Sequence, residues 1–102
     1  MTALARMVSE LRQECSEDYV GVWQITRMLR DEGHTPVEMP DRVVEVVAAL
    51  LSDGRVDIGQ FEDEAFTAWQ GDVGAKVSRL KAELQALGRE PDIGEVAWLA
   101  ER

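Results

Sequence analysis

Asp41-Arg42-Val43-Val44-Glu45-Val46-Val47-Ala48-Ala49-Leu50-Leu51-Ser52-Asp53-Gly54-Arg55-Val56-Asp57-Ile58-Gly59 decides the fold, because its hydrophobic period changes partway. Up to Leu51 the apolar residues cover most of a helical circumference, which predicts a central helix over residues 41–51. The valines have low helix propensity, so tertiary contacts must hold it. Ser52-Asp53-Gly54 stops that helix, and Val56 and Ile58 then alternate with Arg55, Asp57 and Gly59. Past the polar Gln60-Phe61-Glu62-Asp63-Glu64, Ala65-Phe66-Thr67-Ala68-Trp69 gives a second strand, and two such runs around a polar tip predict a β-hairpin. No Asn-Gly or Asp-Gly marks the turn, which leaves its type and register open.

Outward from this stretch the chain reads as helices. Thr2 caps a first helix with Leu4, Met7, Val8, Leu11 and Cys15 at helical spacing. A second runs from about Tyr19 to Glu32, with Val22, Ile25, Met28 and Leu29 inward and Gly33 at its end. Pro36 and Pro40 hold a connector open. Asp72 caps the clearest helix, in which Val73, Val77, Leu80, Leu84 and Leu87 recur by fours and threes until Gly88. Asp92 with Glu95 fits a capping box and predicts a short final helix, although Val96-Ala97-Trp98-Leu99 fits a strand equally well.

The expectation is a single α+β, mostly helical domain over residues 1–102, with a peripheral N-terminal helix at 1–17. The order helix, helix, hairpin, helix over residues 19–87 resembles a winged-helix arrangement, which would make residues 41–52 the recognition helix and the hairpin the wing. The segments Leu87-Gly88-Arg89-Glu90-Pro91-Asp92-Ile93-Gly94 with Trp98, Tyr19-Val20-Gly21-Val22-Trp23 and Leu50-Leu51-Ser52-Asp53-Gly54 are similar to stretches of short uncharacterised bacterial proteins. That resemblance implies a common fold and brings no activity with it.

Composition narrows function. Twenty acids against 11 Lys and Arg leave a net charge of -9, which repels phosphate backbones and anionic membranes and attracts basic partners. The recognition-helix position offers only Arg42 as a base, and the tip is Glu62-Asp63-Glu64, so no direct nucleic-acid binding is expected. No stretch approaches the ~20 apolar residues of a membrane helix. Without a signal peptide, and with one cysteine, Cys15, a cytoplasmic protein is expected.

Catalytic patterns are missing. His34 is the only histidine and has no Ser or Cys nearby as a nucleophile. Residues 53–64 mimic a calcium loop, but Arg55 and Ile58 occupy the places of a ligand and of the turn glycine. Adjacent acids such as Glu17-Asp18 and Asp31-Glu32 point in different directions and form no acid/base pair. No enzyme, metal or cofactor is expected. The expected function is an acidic protein-binding module, an inhibitor or immunity protein for a basic partner. The alternative is a transcription-associated winged-helix protein, and a small enzyme comes third. Trp23, Trp69 and Trp98 lie in separate elements and could meet in a core; if one is exposed, Trp69 at the hairpin's end is the expected anchor. The expected partner site is Asp57, Glu62, Asp63, Glu64, Phe66 and Trp69. A homodimer through the apolar stripe of the first helix is a further expectation.

Overall fold

The computed structural model describes residues 2–102. Four helices and four strands follow in the order α1 (Ala3–Glu17), β1 (Val20–Gly21), α2 (Val22–Asp31), α3 (Met39–Leu51), β2 (Val56–Glu62), β3 (Ala65–Ala68), α4 (Val73–Leu87) and β4 (Trp98–Glu101). The strands form one antiparallel sheet in the order β1-β4-β2-β3. This is the mostly helical α+β domain read from the sequence, and α3 runs directly into the β2–β3 hairpin as expected. Among the described residues no helix is long and apolar enough to cross a membrane.

Both expected N-caps are in place. The Thr2 hydroxyl accepts from the Ala5 N–H at 3.0 Å, and the Asp72 carboxylate accepts from Ala75 at 2.8 Å. Val43, Val46, Val47 and Leu50 of α3 are buried, with Ile25 and Leu29 of α2, Leu80 and Leu84 of α4, and Leu11 of α1 around them. The helix expected at the periphery is therefore part of the core. Met7, Leu11 and Cys15 are covered by the rest of the chain, which leaves Leu4 as the exposed part of the stripe on which self-association rested.

One segment differs from the reading, and another takes one of its two alternatives. Val20 and Gly21 are not helical: they pair with Leu99 and Trp98, and α2 begins only at Val22, where the Gln24 side chain accepts the Gly21 N–H at 2.8 Å. For the last segment, read as a short helix or equally as a strand, the strand is what forms: β4 lies between β1 and β2. Half of the expected capping box does form, since Glu95 accepts the Asp92 N–H at 2.8 Å. But Arg89 grips the same carboxylate with two bonds of 2.6 and 2.7 Å, and Gly94 and Val96 adopt φ of 84° and 70°. The bond from the Ala97 N–H to the Glu95 carbonyl closes a γ-turn on Val96, a strained conformation for a β-branched residue, and turns the chain into β4.

Candidate interaction surface

Strand registers assign each side chain to a face. Val20 and Ile58 both pair with Leu99, and all three lie in the core. The opposite face carries Trp98, paired with Gly21 and Gly59, and Phe61, paired with Phe66. Tyr19, two residues before Gly21, falls on the same side. Three segments distant in sequence thus deliver four aromatic rings to one open face at the hairpin end of the sheet, Phe61 and Phe66 both coming from the hairpin. Phe61 is at the centre, with ring centroids 4.8 Å from Tyr19, 6.2 Å from Phe66 and 5.5 Å from Trp98, all near edge-to-face. Tyr19 is 45% exposed and Phe61 39%, which is high for rings that already pack on one another.

Two glycines permit this arrangement. A Cβ on Gly21 would stand 2.4 Å from the Trp23 ring and 3.4 Å from the Trp98 ring, so the two indoles converge over that position. A Cβ on Gly59 would stand 2.1 Å from the Thr67 carbonyl oxygen, so β2 and β3 can approach this closely only with glycine there.

The hairpin supplies charge beside the rings. Strand β2 continues through Gln60, Phe61 and Glu62, so the tip is only the two residues Asp63 and Glu64. Their φ values of 52° and 67° make a type I′ turn, normally built from Asn and Gly. Aspartate tolerates the left-handed region; glutamate gains nothing from it. A carboxylate therefore stands at position 64 at a cost in backbone strain.

Of the residues expected in the partner site, Glu62, Asp63 and Glu64 are exposed and Phe66 is half-buried on the aromatic face. Asp57 and Trp69 are not part of that surface. Asp57 is 8% exposed and accepts hydrogen bonds from Lys76 Nζ at 2.8 Å, Arg102 at 2.9 Å and the Ile58 N–H at 2.8 Å. Burial raises its pKa, but the hydrogen bond from Lys76, that from Ile58 and the charges of Lys76 and Arg102 outweigh it and hold the carboxyl below its ordinary value. Trp69 is 5% exposed, and the Arg79 guanidinium stacks on its ring at 4.0 Å. The three tryptophans do not form one cluster: Trp23 and Trp98 meet at Gly21, while Trp69 lies under α4. The surface residues missed from sequence are Tyr19, Phe61 and Trp98. The signal for Phe61 was its parity with Gly59, visible once β2 is extended past Gln60.

The remaining candidates are occupied otherwise. His34 Nδ1 lies 3.1 Å from Glu38, on the wall of a cavity of about 570 Å³ between α2, α3 and the end of α4. All three prolines line this cavity, and its basic side chains Arg30 and Arg89 are tied to Glu90 and Glu95. Burial, helped by Glu14 and Glu101 against Arg12, pushes the Cys15 thiol up to about 11, leaving it protonated and unreactive at neutral pH. Among the described residues no three of His, Cys, Asp and Glu stand close enough to hold a metal ion. No family model, curated protein or solved structure matches the chain.

Proposed function

We propose that this chain is a small non-catalytic protein-binding module that engages a basic protein through the open aromatic face of its sheet, with the acidic hairpin tip guiding approach. The observation that carries the reading is the juxtaposition of Tyr19, Phe61, Phe66 and Trp98 with Glu62, Asp63 and Glu64 on one end of the molecule. Aromatic side chains supply most of the holding energy at interfaces, whereas exposed charges mainly set association rate and partner sign. The anchor is Phe61 with Tyr19, in place of the buried Trp69. An inhibitor or immunity protein directed at a basic toxin fits this chemistry, the small size and the net charge of -9. A DNA-directed role for the winged-helix-like order has less support. The exposed face of α3 offers Asp41 and Glu45, and Arg42 is turned onto Glu45 at 2.8 Å.

The test is capture of the partner from the native organism, followed by surface kinetics. Phe61→Ala should speed dissociation at least tenfold, in the range of an interface hot spot. Reversing Glu62 and Glu64 to Lys should slow association and flatten its salt dependence. A partner that binds both variants as it binds the wild type removes the surface from consideration.

Glu64→Gly separates function from stability. Relief of the left-handed strain should stabilise the fold by about 1 kcal/mol, read as a higher midpoint in urea, while association with the partner slows. A lower midpoint would show that the turn is not strained at this residue.

A further inference from the structure

The sheet has two edges, and only one of them can accept a strand. β1 is two residues long and passes directly into α2. β3 is the other edge, paired on one side to β2. The bond from the Trp69 N–H to the Ile58 carbonyl, 2.9 Å, fixes the phase of the β2–β3 ladder. In an antiparallel pair the hydrogen-bonded positions alternate, so Thr67 with Gln60 and Ala65 with Glu62 exchange the bonds. The N–H and C=O groups of Phe66 and Ala68 therefore point away from β2, and no other group among the described residues bonds to them. Natural edge strands are usually blunted by lysine, proline, a bulge or an inward-pointing charge. The sequence Ala65-Phe66-Thr67-Ala68 has none of these, and the registers across it are continuous.

We propose that β3 receives an extended basic segment of the partner as a fifth antiparallel strand, an inference that rests on the reading of the aromatic face and hairpin as the partner site. Two donors and two acceptors of β3 would supply the main-chain pairing. Side chains of the incoming strand that fall opposite Phe66 and Ala68 lie on the aromatic face and extend it, so these positions should be apolar. An antiparallel strand ends beside Ala65, and its continuation passes Glu64 and Asp63. The recognised segment therefore carries its lysines or arginines just after the paired residues, toward its C-terminal end. Charge selects this occupant over a second copy: each copy carries -9 and would bring its own Glu62-Asp63-Glu64 tip alongside the other chain.

The probe is a blocked synthetic peptide of alternating valine and threonine closed by two lysines, titrated into the full chain and followed by amide NMR. Three comparisons accompany it: the peptide N-methylated at alternate residues, the peptide with its lysines moved to the start, and the variant Ala68→Pro. Proline at position 68 removes one outward N–H and leaves the β2 ladder intact. The expected result is a shift and slowed exchange at the Phe66 and Ala68 amides, with binding weakened at least tenfold by N-methylation and by Ala68→Pro, and less by moving the lysines. N-methylation acts on the probe alone, so it decides the matter even if Ala68→Pro unfolds. Absence of binding at millimolar peptide, or equal binding by the N-methylated peptide, overturns strand addition. If Phe61→Ala then still loses the captured partner while Ala68→Pro keeps it, the aromatic face stands and the added strand does not. If both variants keep the partner, both readings fall. A concentration-dependent dimer in light scattering that Ala68→Pro dissolves would assign the edge to a second copy and contradict the proposal.

Discussion

Asp57→Ala should destabilise the domain by about 3–5 kcal/mol, the cost of leaving a buried charge without its counterion. The stranded group is Lys76, whose side chain is largely buried in α4 and whose Nζ lies 2.8 Å from Asp57. Arg102, on the other carboxylate oxygen, is half exposed and can turn to water. Replacing both partners by apolar residues, Asp57→Leu with Lys76→Met, should recover most of the loss, because the desolvation of both charges is removed together. Urea unfolding of the three proteins measures this. A loss below 1 kcal/mol for Asp57→Ala would mean the pair is solvated, and Asp57 would return to the exposed surface. The pH dependence has a definite sign. The folded carboxyl has a lowered pKa, so its contribution is complete above the unfolded value of about 3.9 and is lost as pH falls through the folded value. Wild type and Asp57→Ala should differ fully at neutral pH and converge in acid. Glu95, lowered to about 2 by the Arg89 hydrogen bonds and the Asp92 N–H, holds the loop before β4 and is likewise protonated only in acid.

Leu80→Ala should cost about 2–5 kcal/mol. Leu80 is fully buried (0% exposed) at the middle of α4, where that helix packs on α3, and deleting its side chain leaves a cavity that the valines of α3 are too stiff to fill. A thermal melt reads the loss directly. An unchanged melt would place α4 at the periphery and contradict the core described above.

Elements governed by local chemistry were legible in the sequence. The Leu80–Leu84 spacing and the Asp72 cap specify α4, the circumferential valines specify a central α3, and the change of period after Gly54 specifies the hairpin. What was missed depends on partners far along the chain. Val20-Gly21 carries no strand signal of its own, Trp98-Leu99 fits helix and strand equally, and both become strands by pairing with each other and, for β4, with β2. Glu95 carried a helix-start signal that Arg89 diverted. Asp57 looked like surface acid because its partner, Lys76, lies 19 residues on, in another element. The candidate surface is a product of the same long-range pairing. Tyr19, Phe61 and Trp98 come together only through the order β1-β4-β2, whereas the acid tip and Phe66 are contiguous and were recognisable.

The most direct test of the aromatic face as a binding surface is an amide hydrogen-exchange footprint of the chain with its captured partner. Protection should appear at residues 19–21, 60–68 and 98–99, and nowhere along the cavity lined by Pro36, Met39, Leu84 and Pro91. Protection confined to that cavity, with the hairpin exchanging as in the free chain, would contradict the assignment.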